Sequence, residues 1–490
     1  MSQRPLIIAL WASASLIFIA VAVIIMMVGG NRSMLLIGAT TDAHHQIEMA
    51  CESCHSAGAF ASAKEAKKEL NKSCAGCHAK QLQAADDSHS RKRFRNPRMA
   101  EYWEKIDARF CTSCHVEHRP EITRSNSVTV AMDFCIACHS EGDQDIRRSR
   151  PSHVQLSFDT CSSSGCHNFH DNRSLYADFL IKHADQPWLN DKPVHELAEI
   201  HRVAMAPHDD ALSIDDAMAP ASELSDTTVL DEWTRSGHAS AGVNCTACHM
   251  PDGSEDSEFS KAQSQWITSP TLEVCADCHK FQTSTFALGR HGMRQHPKVS
   301  APRNAADSRV GALLTQTIAN WLSDSPLPRH MTVAEARIEM RADAFNKALD
   351  CGTCHQVHAV NTVTAAVDSC LMCHDDSHSK SYANSPHHSL WQAEISGTAS
   401  AGTGVSCATC HMPKTKRRGR VLTSHDQNEI LRPNEKMIRT VCLDCHGLQF
   451  TLNSLADDDL ISKNFDRPPT VHVESIEWAL RHAQSASNDN

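Results

Sequence analysis

Tyrosine is nearly missing from this sequence: 490 residues hold 3 Tyr, 8 Trp and 14 Phe, so aromatic side chains make up only 5%. Aliphatic residues do not make good the shortage, because the 41% apolar total includes 22 Cys and one apolar run near the start. Length alone allows two or three domains. A plain hydrophobic core for them is thin, so something other than aliphatic and aromatic side chains must fill the interior. Charged residues are only 21% and are spread out, which excludes a disordered chain. Positive charge is in deficit, with 47 Lys and Arg against 58 Asp and Glu and a formal net charge of −11. That sign argues against nucleic acid as a partner. The basic runs Arg91–Arg98, Arg147–Arg150 and Lys414–Arg420 read as solvated loops. No β-alternation of useful length appears, so the expected fold is mainly α with extensive loops. A small disulfide scaffold is excluded because such chains are short.

What the sequence has instead is cysteine in pairs, each followed at once by histidine. Ten read C-x-x-C-H: Cys51/Cys54/His55, Cys74/Cys77/His78, Cys111/Cys114/His115, Cys135/Cys138/His139, Cys245/Cys248/His249, Cys275/Cys278/His279, Cys351/Cys354/His355, Cys370/Cys373/His374, Cys407/Cys410/His411 and Cys442/Cys445/His446. The eleventh is stretched to Cys161-Ser-Ser-Ser-Gly-Cys166-His167, and no Cys is left over. C-x-x-C-H is the attachment signature of c-type haem. Two thiols add across the porphyrin vinyl groups, and the adjacent His reaches the iron as its proximal ligand. Disulfides would not need a His after every second Cys, and structural zinc would use C-x-x-C pairs in twos. The expectation is eleven covalent haem c groups, whose apolar faces supply the missing core; without haem no stable fold is expected.

Of 32 His, those outside the motifs are numerous enough to give every iron a second imidazole. That surplus points to mostly bis-His, low-potential haems rather than the Met-ligated kind. The best-placed distal candidates are His44 or His45, His118, His153, His170, His183, His238, His291, His358, His378, His387 and His425. Met250 and Met412 follow motifs directly and are expected to pack on porphyrin faces.

The run Leu6–Val28 is uncharged and nearly all apolar, long enough for one N-terminal transmembrane helix; the alternative, a cleaved signal peptide, fits less well because the run is too long and no clean A-x-A site follows. With Arg4 ahead of it, the positive-inside rule puts the remainder on the far side. The expected place is therefore the bacterial inner membrane, single-pass, with the haem domains in the periplasm. Motifs recur mostly in close pairs, those starting at Cys51 and Cys74, Cys111 and Cys135, Cys245 and Cys275, Cys351 and Cys370, and Cys407 and Cys442. This is a repeat whose unit is two haem sites. The long gap between His167 and Cys245, rich in Ala, Asp, Ser and Pro, reads as a linker. The expected organisation is an anchor at 1–30, a pentahaem domain at 31–205, a linker at 206–231 and a hexahaem domain at 232–490. A capping-box pattern at Thr332-Val333-Ala334-Glu335 predicts a helix running through Ile338, Ala342, Phe345 and Leu349 into Cys351. Within the C-terminal block, Ser236-Gly-His238, Gly242-Val-Asn-Cys245 and Val274-Cys275 recur as Ser385-Pro-His387, Gly404-Val-Ser-Cys407 and Val441-Cys442, which reads as a duplicated dihaem unit.

These motifs also carry a family resemblance. Cys407-Ala-Thr-Cys-His-Met-Pro-Lys414, His425 and Val441-Cys442-Leu-Asp-Cys-His446 resemble the last two haem sites of pentahaem cytochrome c nitrite reductases. Cys370-Leu-Met-Cys-His374, His378 and Ser385-Pro-His387 resemble hydroxylamine oxidoreductase and its octahaem relatives. The resemblance covers about half the chain and implies His378, His387 and His425 as distal ligands. The N-terminal block, with Cys111-Thr-Ser-Cys-His115-Val-Glu-His118, resembles class III-type multihaem cytochromes, which implies a distal role for His118. An anchor ahead of periplasmic haems is similar to membrane-bound quinol-oxidising cytochromes, although the haem sequences do not match those closely. Two enzyme signatures are missing. There is no C-x-x-C-K motif like that of the nitrite reductases' catalytic haem. No Tyr follows Tyr382, whereas hydroxylamine oxidoreductase crosslinks its catalytic haem to a Tyr near the C-terminus.

The sequence therefore favours an electron carrier over an enzyme. Electrons would pass between an inner-membrane donor, a quinol or a quinol-oxidising complex, and a periplasmic redox partner. The acidic balance suggests that this partner is basic. The alternative is an oxidoreductase acting on nitrite, hydroxylamine or a sulfur oxyanion at one open haem, with His291 and Arg290 supplying protons.

Overall fold

The computed structural model describes residues 10–20, 36–57, 61–85, 89–124, 127–131, 134–139, 168–171, 175, 177–204, 211–250, 266–299, 330–359, 362–431 and 434–488. They fall into two compact units. One comprises Met1–Gly76, Phe110–Thr129 and Pro297–Arg329; the other comprises Cys77–Arg109, Val130–His296 and His330–Asn490.

Among its described residues, the first unit is joined by several polar contacts. Glu117 is its hub: it takes the backbone N–H of Thr41 at 2.9 Å and Nδ1 of His44 at 2.7 Å. Burial works against the Glu117 carboxylate, but the His44 and Thr41 bonds outweigh it and hold the group down at about 2. The buried Asn71 accepts the N–H of Cys111 at 2.7 Å, which fixes the start of that motif.

The second unit consists of short helices and 3-10 turns joined by loops, with one apolar centre near its C-terminus. Leu175, Leu180, Ala184, Ile438, Leu448, Leu452, Leu455, Ile476 and Ala479 are buried together where helices Ala177–His183, Leu448–Leu455 and Glu474–Asn488 pack. Each fully buried Leu or Ile there stabilises by roughly 1.5–3 kcal/mol relative to exposure. Asp457 ties this end shut. It accepts the N–H of Leu460 at 3.0 Å, the N–H of Thr470 at 2.9 Å and the Arg467 guanidinium at 2.9 Å. The remaining apolar clusters are small, and motif cysteines belong to them. Cys373 lies with Val333 and Ala344, Cys407 with Tyr382 and Trp391, and Cys410 and Cys442 with Ile430, Met437 and Val441.

Four sequence expectations can be set against this. The mainly helical, loop-rich architecture is observed. The transmembrane helix is not supported: among the described residues no helix is long and apolar enough to cross a membrane. Within Leu6–Val28, residues 10–20 are helical and exposed, and the rest of the run lies outside the described residues. The capping box at Thr332 is present, with Thr332 and Glu335 capping each other, but it opens a 3-10 turn, Val333–Glu335, that stops at an extended Ala336. The chain then turns back, pairing Thr332 with Ala348 and Met340 with His374, so the predicted long helix is replaced by a loop laid beside two motifs. The apolar residues that suggested helical periodicity serve tertiary contact instead: Met340 and Leu349 pack on the Cys373 cluster, while Ile338 and Phe345 are exposed.

The third difference is a β-hairpin in the run read as a solvated loop. Strand β1, Lys414–Arg417, pairs antiparallel with β2, Arg420–Thr423. The two turn residues, Arg418 and Gly419, have φ of 49° and 79°. Positive φ at both centre positions makes the tight turn whose twist matches a hairpin, and Gly adopts it freely. Within the expected linker, residues 211–231 hold helix Ala221–Leu224 and the start of helix Thr227–Thr234, which buries Leu230 and Trp233.

Candidate functional site

The motifs share one backbone geometry. In seven of them the N–H of the motif His bonds to the carbonyl of the first Cys, at 2.8–3.0 Å, closing one helical turn (His55, His115, His139, His249, His279, His374 and His446). The His78, His355 and His411 motifs sit within helices. Residues at i, i+3 and i+4 of such a turn lie on one face, so both thiols and the imidazole point the same way. Local capping makes the turn reproducible: Asp350 accepts the N–H of Thr353 at 2.8 Å, and Ser406 that of Thr409 at 3.2 Å. The stretched Cys161/Cys166/His167 motif lies outside the described residues.

Consecutive motifs approach one another through their thiols. In the second unit Cys248 feels Cys275, Cys275 hydrogen-bonds with Cys351, Cys354 feels Cys370, Cys370 hydrogen-bonds with Cys407, and Cys410 feels Cys442. The six motifs from Cys245 to Cys445 thus form one succession in chain order. In the first unit Cys74 hydrogen-bonds with Cys111 and feels Cys54. Burial pushes Cys354 up to about 12 and Cys410 to about 11, whereas the hydrogen bond with Cys351 brings Cys275 down to about 7 and that with Cys370 lowers Cys407.

The motif of Cys135 and Cys138 lies in the second unit. Its spacing in the sequence joins it to the Cys111 motif, yet Cys111 and Cys114 belong to the first unit, and Cys135 and Cys138 to the second. Cys138 is half-buried on helix Ile136–His139, with its N–H on the Cys135 carbonyl at 3.1 Å. The local turn therefore keeps Cys138 beside His139, as an attachment motif requires, while proximity in the chain does not decide which unit the turn joins. His139 faces His89, from the stretch Cys77–Arg109 of the same unit.

The motif imidazoles face histidines from elsewhere in the chain. Ring centroids stand 6.5 Å apart for His55 and His118, 6.2 Å for His139 and His89, 6.0 Å for His249 and His358, and 6.1 Å for His279 and His238. They stand 6.0 Å apart for His355 and His425, 6.2 Å for His374 and His291, 6.0 Å for His411 and His378, and 6.2 Å for His446 and His387. Each pair joins one motif His to one His outside the motifs.

Ordinary aromatic pairs also fall at about 4.5–7 Å, but stacking fixes an angle as well as a distance. Here the distance barely varies while the interplanar angle runs from 20° to 90°. That is the behaviour of two nitrogens aimed at a common point. A ligating imidazole nitrogen stands about 2.0–2.1 Å from a metal such as zinc, with the ring centre about 1 Å behind it, so two imidazoles on one ion have centroids a little over 6 Å apart. By contrast, the direct stack of His249 on Trp266 lies at 4.4 Å and 3°.

Second contacts orient the rings. Nδ1 donates to a backbone carbonyl in His118 (Gly38, 2.8 Å), His89 (Phe169, 2.8 Å), His425 (Thr423, 3.2 Å), His115 (Ser127, 2.9 Å), His249 (Ile267, 2.6 Å) and His446 (Trp188, 3.1 Å). His78 donates to the side chain of Gln81 at 2.7 Å. Spending Nδ1–H on an oxygen leaves the Nε2 lone pair for a metal, the arrangement usual for ligating histidines. Burial first, and neighbouring imidazoles second, push His291, His387, His411 and His425 down to about 4, so all four are neutral and able to donate a lone pair at pH 7. Gly289 lets the chain before His291 pass close to His425, because a Cβ there would stand 2.5 Å from the His425 carbonyl oxygen. The residues present therefore fit an iron held between two imidazoles.

Three family models match parts of the chain: cytochrome c3 over residues 43–140, outer membrane cytochrome MtrC/MtrF-like domains II/IV over 103–310, and cytochrome c552 over 374–453. The chain is a multihaem c-type cytochrome. It carries covalent haem c, and the business of its class is electron transfer. No solved structure matches it. The cytochrome c3 match covers the Cys111–His118 motif that resembles class III-type cytochromes, and the cytochrome c552 match covers the whole of the segment that resembles the nitrite reductases.

The cytochrome brings together seven of the distal candidates with motif histidines: His118, His238, His291, His358, His378, His387 and His425. Of the other candidates, His44 and His45 place Nδ1 on Glu117 and on the Asp42 carbonyl at 3.0 Å, His183 stands against Phe179 at 4.4 Å, and His170 lies edge-on to Phe169 at 5.0 Å. His153 lies outside the described residues. Sequence reasoning missed His89, which faces His139. It sits before the basic stretch Arg91–Phe94, away from any motif, and its only local sign is the aromatic residue Phe94, against which it stacks. Arg290, expected beside His291 on an open face, bonds to Asn428 at 3.2 Å, and His291 faces His374.

Proposed function

We propose that this cytochrome is an undecahaem electron carrier acting outside the cytoplasm, passing electrons between redox proteins through haems that are mostly bis-His. One observation carries the reading: all six motif histidines of the C-terminal block face a second imidazole at 6.0–6.2 Å. Haem supplies a one-electron iron couple, and its axial ligands, burial and second contacts set the potential. In each of these pairs the motif His is the proposed proximal ligand, and His238, His291, His358, His378, His387 or His425 the distal one. His118 and His89 take the same role opposite His55 and His139. The cysteines hold the groups covalently, and the succession of neighbouring thiols sets the attachment points side by side, which suits a carrier. Action outside the cytoplasm is supported by the match to MtrC/MtrF-like outer membrane cytochrome domains. The count of eleven rests on the motif count, including Cys161, Cys166 and His167.

Electron paramagnetic resonance of the purified ferric protein tests the assignment. Low-spin signals dominate on this reading. A high-spin signal that shifts on adding nitrite or hydroxylamine overturns it in favour of an enzyme with an open haem. A pyridine haemochrome assay checks the stoichiometry, with eleven haems per chain expected.

A further inference from the structure

The hairpin β1–β2 turns a basic run into a defined two-stranded element close to haem motifs. Five of its seven residues from Lys414 to Arg420 are Lys or Arg, on a chain whose net charge is −11. Lys416, Arg417, Arg418 and Arg420 are exposed, while Val421 on the opposite strand is buried and roots the finger in the protein. The base is closed by the Ser424 N–H on the Pro413 carbonyl at 2.9 Å and by His425 N–H on Thr285 Oγ1 at 2.9 Å.

Its roots are what distinguish it from an ordinary charged loop. β1 begins three residues after His411, and β2 ends two residues before His425, which faces His355. Arg417 lies over the ring of Phe281, 4.6 Å from its centroid, and Phe281 follows the motif ending at His279 by two residues. The finger therefore stands where three haem sites converge, those of His279, His355 and His411.

We propose that this hairpin is the docking element for an acidic redox protein, which it seats against those three sites. The inference rests on the electron-carrier reading above. It reverses the partner charge expected from the overall composition. The acidic whole repels an acidic protein at long range, whereas four exposed cations on a two-stranded stem make a local field that outcompetes the repulsion within about one Debye length, roughly 10 Å at 0.1 M salt. A rigid stem also orders the cationic side chains at less cost than a loop, so complementarity is converted into docking.

The sign of the salt dependence tests this on the intact haem-loaded protein. The probe is a fully reduced flavodoxin, an acidic flavoprotein. In each encounter one electron passes from its flavin to a ferric haem, the iron becomes ferrous, and the flavin is left one electron more oxidised. If only the net charge of −11 acted, screening would make stopped-flow reduction faster as salt rises. Docking on the hairpin predicts the opposite, a second-order rate that falls about tenfold between low and high salt. Reversing Lys416→Glu, Arg417→Glu, Arg418→Glu and Arg420→Glu together turns the slope positive. Reversing the exposed Lys64, Lys68, Lys192 and Arg337 to Glu leaves it negative. A rate that rises with salt in the unmodified protein overturns the proposal, as does a hairpin variant with an unchanged slope. If the hairpin variant loses binding to phosphatidylglycerol vesicles while flavodoxin kinetics stay the same, the finger is a lipid contact and the proposal also falls. Dithionite reduction of the haem absorbance checks the underlying reading separately: absent haem sinks the carrier assignment, whereas intact haem with the wrong slope sinks only the docking site.

Discussion

The two copies of the duplicated dihaem segment, 236–282 and 385–449, follow one local plan in two different surroundings. In each, a Ser caps a short helix that presents a His: Ser236 accepts the Ala239 N–H at 3.3 Å, and Ser385 accepts the His388 N–H at 3.2 Å. In each, that His skips the first motif and faces the second, His238 with His279 and His387 with His446. Burial differs. In the later copy His387 and His411 are pushed down to about 4 by burial, and Cys407, Cys410 and Cys442 pack into apolar clusters. In the earlier copy His249 stacks on Trp266 and Cys278 is exposed. Ligand geometry can therefore be duplicated by a short sequence pattern, while the dielectric around it is set by whatever later packs on top. Since burial is one of the levers on haem potential, two sites with the same ligands are expected to differ in potential.

The comparison breaks most visibly on removing attachment. Cys245→Ala with Cys248→Ala is expected to lower the haem stoichiometry by one and leave the protein soluble. Cys407→Ala with Cys410→Ala is expected to cost more than one haem and most of the soluble yield, because those side chains join two clusters. Haem-to-protein ratio and expression yield measure both.

Ligand exchange gives the next effect. His238→Met and His387→Met each keep two axial ligands but replace an imidazole by a thioether, raising the potential of one haem within the roughly 0.8 V range that axial ligands span. Spectroelectrochemical titration is expected to show one component shifted upward in each variant, with different starting potentials in the two copies. Equal starting potentials would remove the proposed role of burial.

Capping separates the copies more gently. Ser385→Ala and Ser236→Ala are each expected to cost about 1 kcal/mol. The larger loss falls on Ser385, which heads the ten-residue helix Pro386–Ile395, while Ser236 heads only a four-residue turn. Thermal unfolding of the haem-loaded protein checks the order.

The smallest effect concerns acid. Arg467 and the N–H groups of Thr470 and Leu460 hold the Asp457 carboxyl well below its ordinary value. A depressed folded value means that the stabilisation is present above about pH 4, the ordinary value for Asp, and is lost as pH falls below it. Asp457→Asn is expected to flatten that acid limb in the region of helix Leu448–Leu455, with no matching change in the earlier copy. Hydrogen exchange at pH 3 and pH 6 would show it.

Legibility from sequence followed the range of the interactions. The Cys-x-x-Cys-His turn was readable because its atoms lie within one helical turn, and Thr353 and Thr409 cap it locally. The distal histidines beside repeated motifs, such as His238 and His387, could be picked out by pattern. His89 could not, because what brings it to His139 is the packing of Phe94 and Phe169 around it. The predicted helix after Thr332 failed for a related reason. Its apolar spacing was real, but Val333, Ala344 and Leu349 pack on Cys373 through a returning loop, and tertiary contact overrode propensity. The hairpin at Lys414 carried only four residues per strand, too short for alternation to register, and its turn depends on Arg418 and Gly419 both reaching positive φ.

By itself, the sequence determined where thiol, thiol and imidazole come together in one motif, since they lie so close in the chain that one turn of backbone puts them on one face. Which distal His meets which motif, and which face of an acidic protein presents concentrated positive charge, were decided only by tertiary structure. Those pairings join residues far apart in the chain, and their partners are chosen by packing and burial, which no local spacing records.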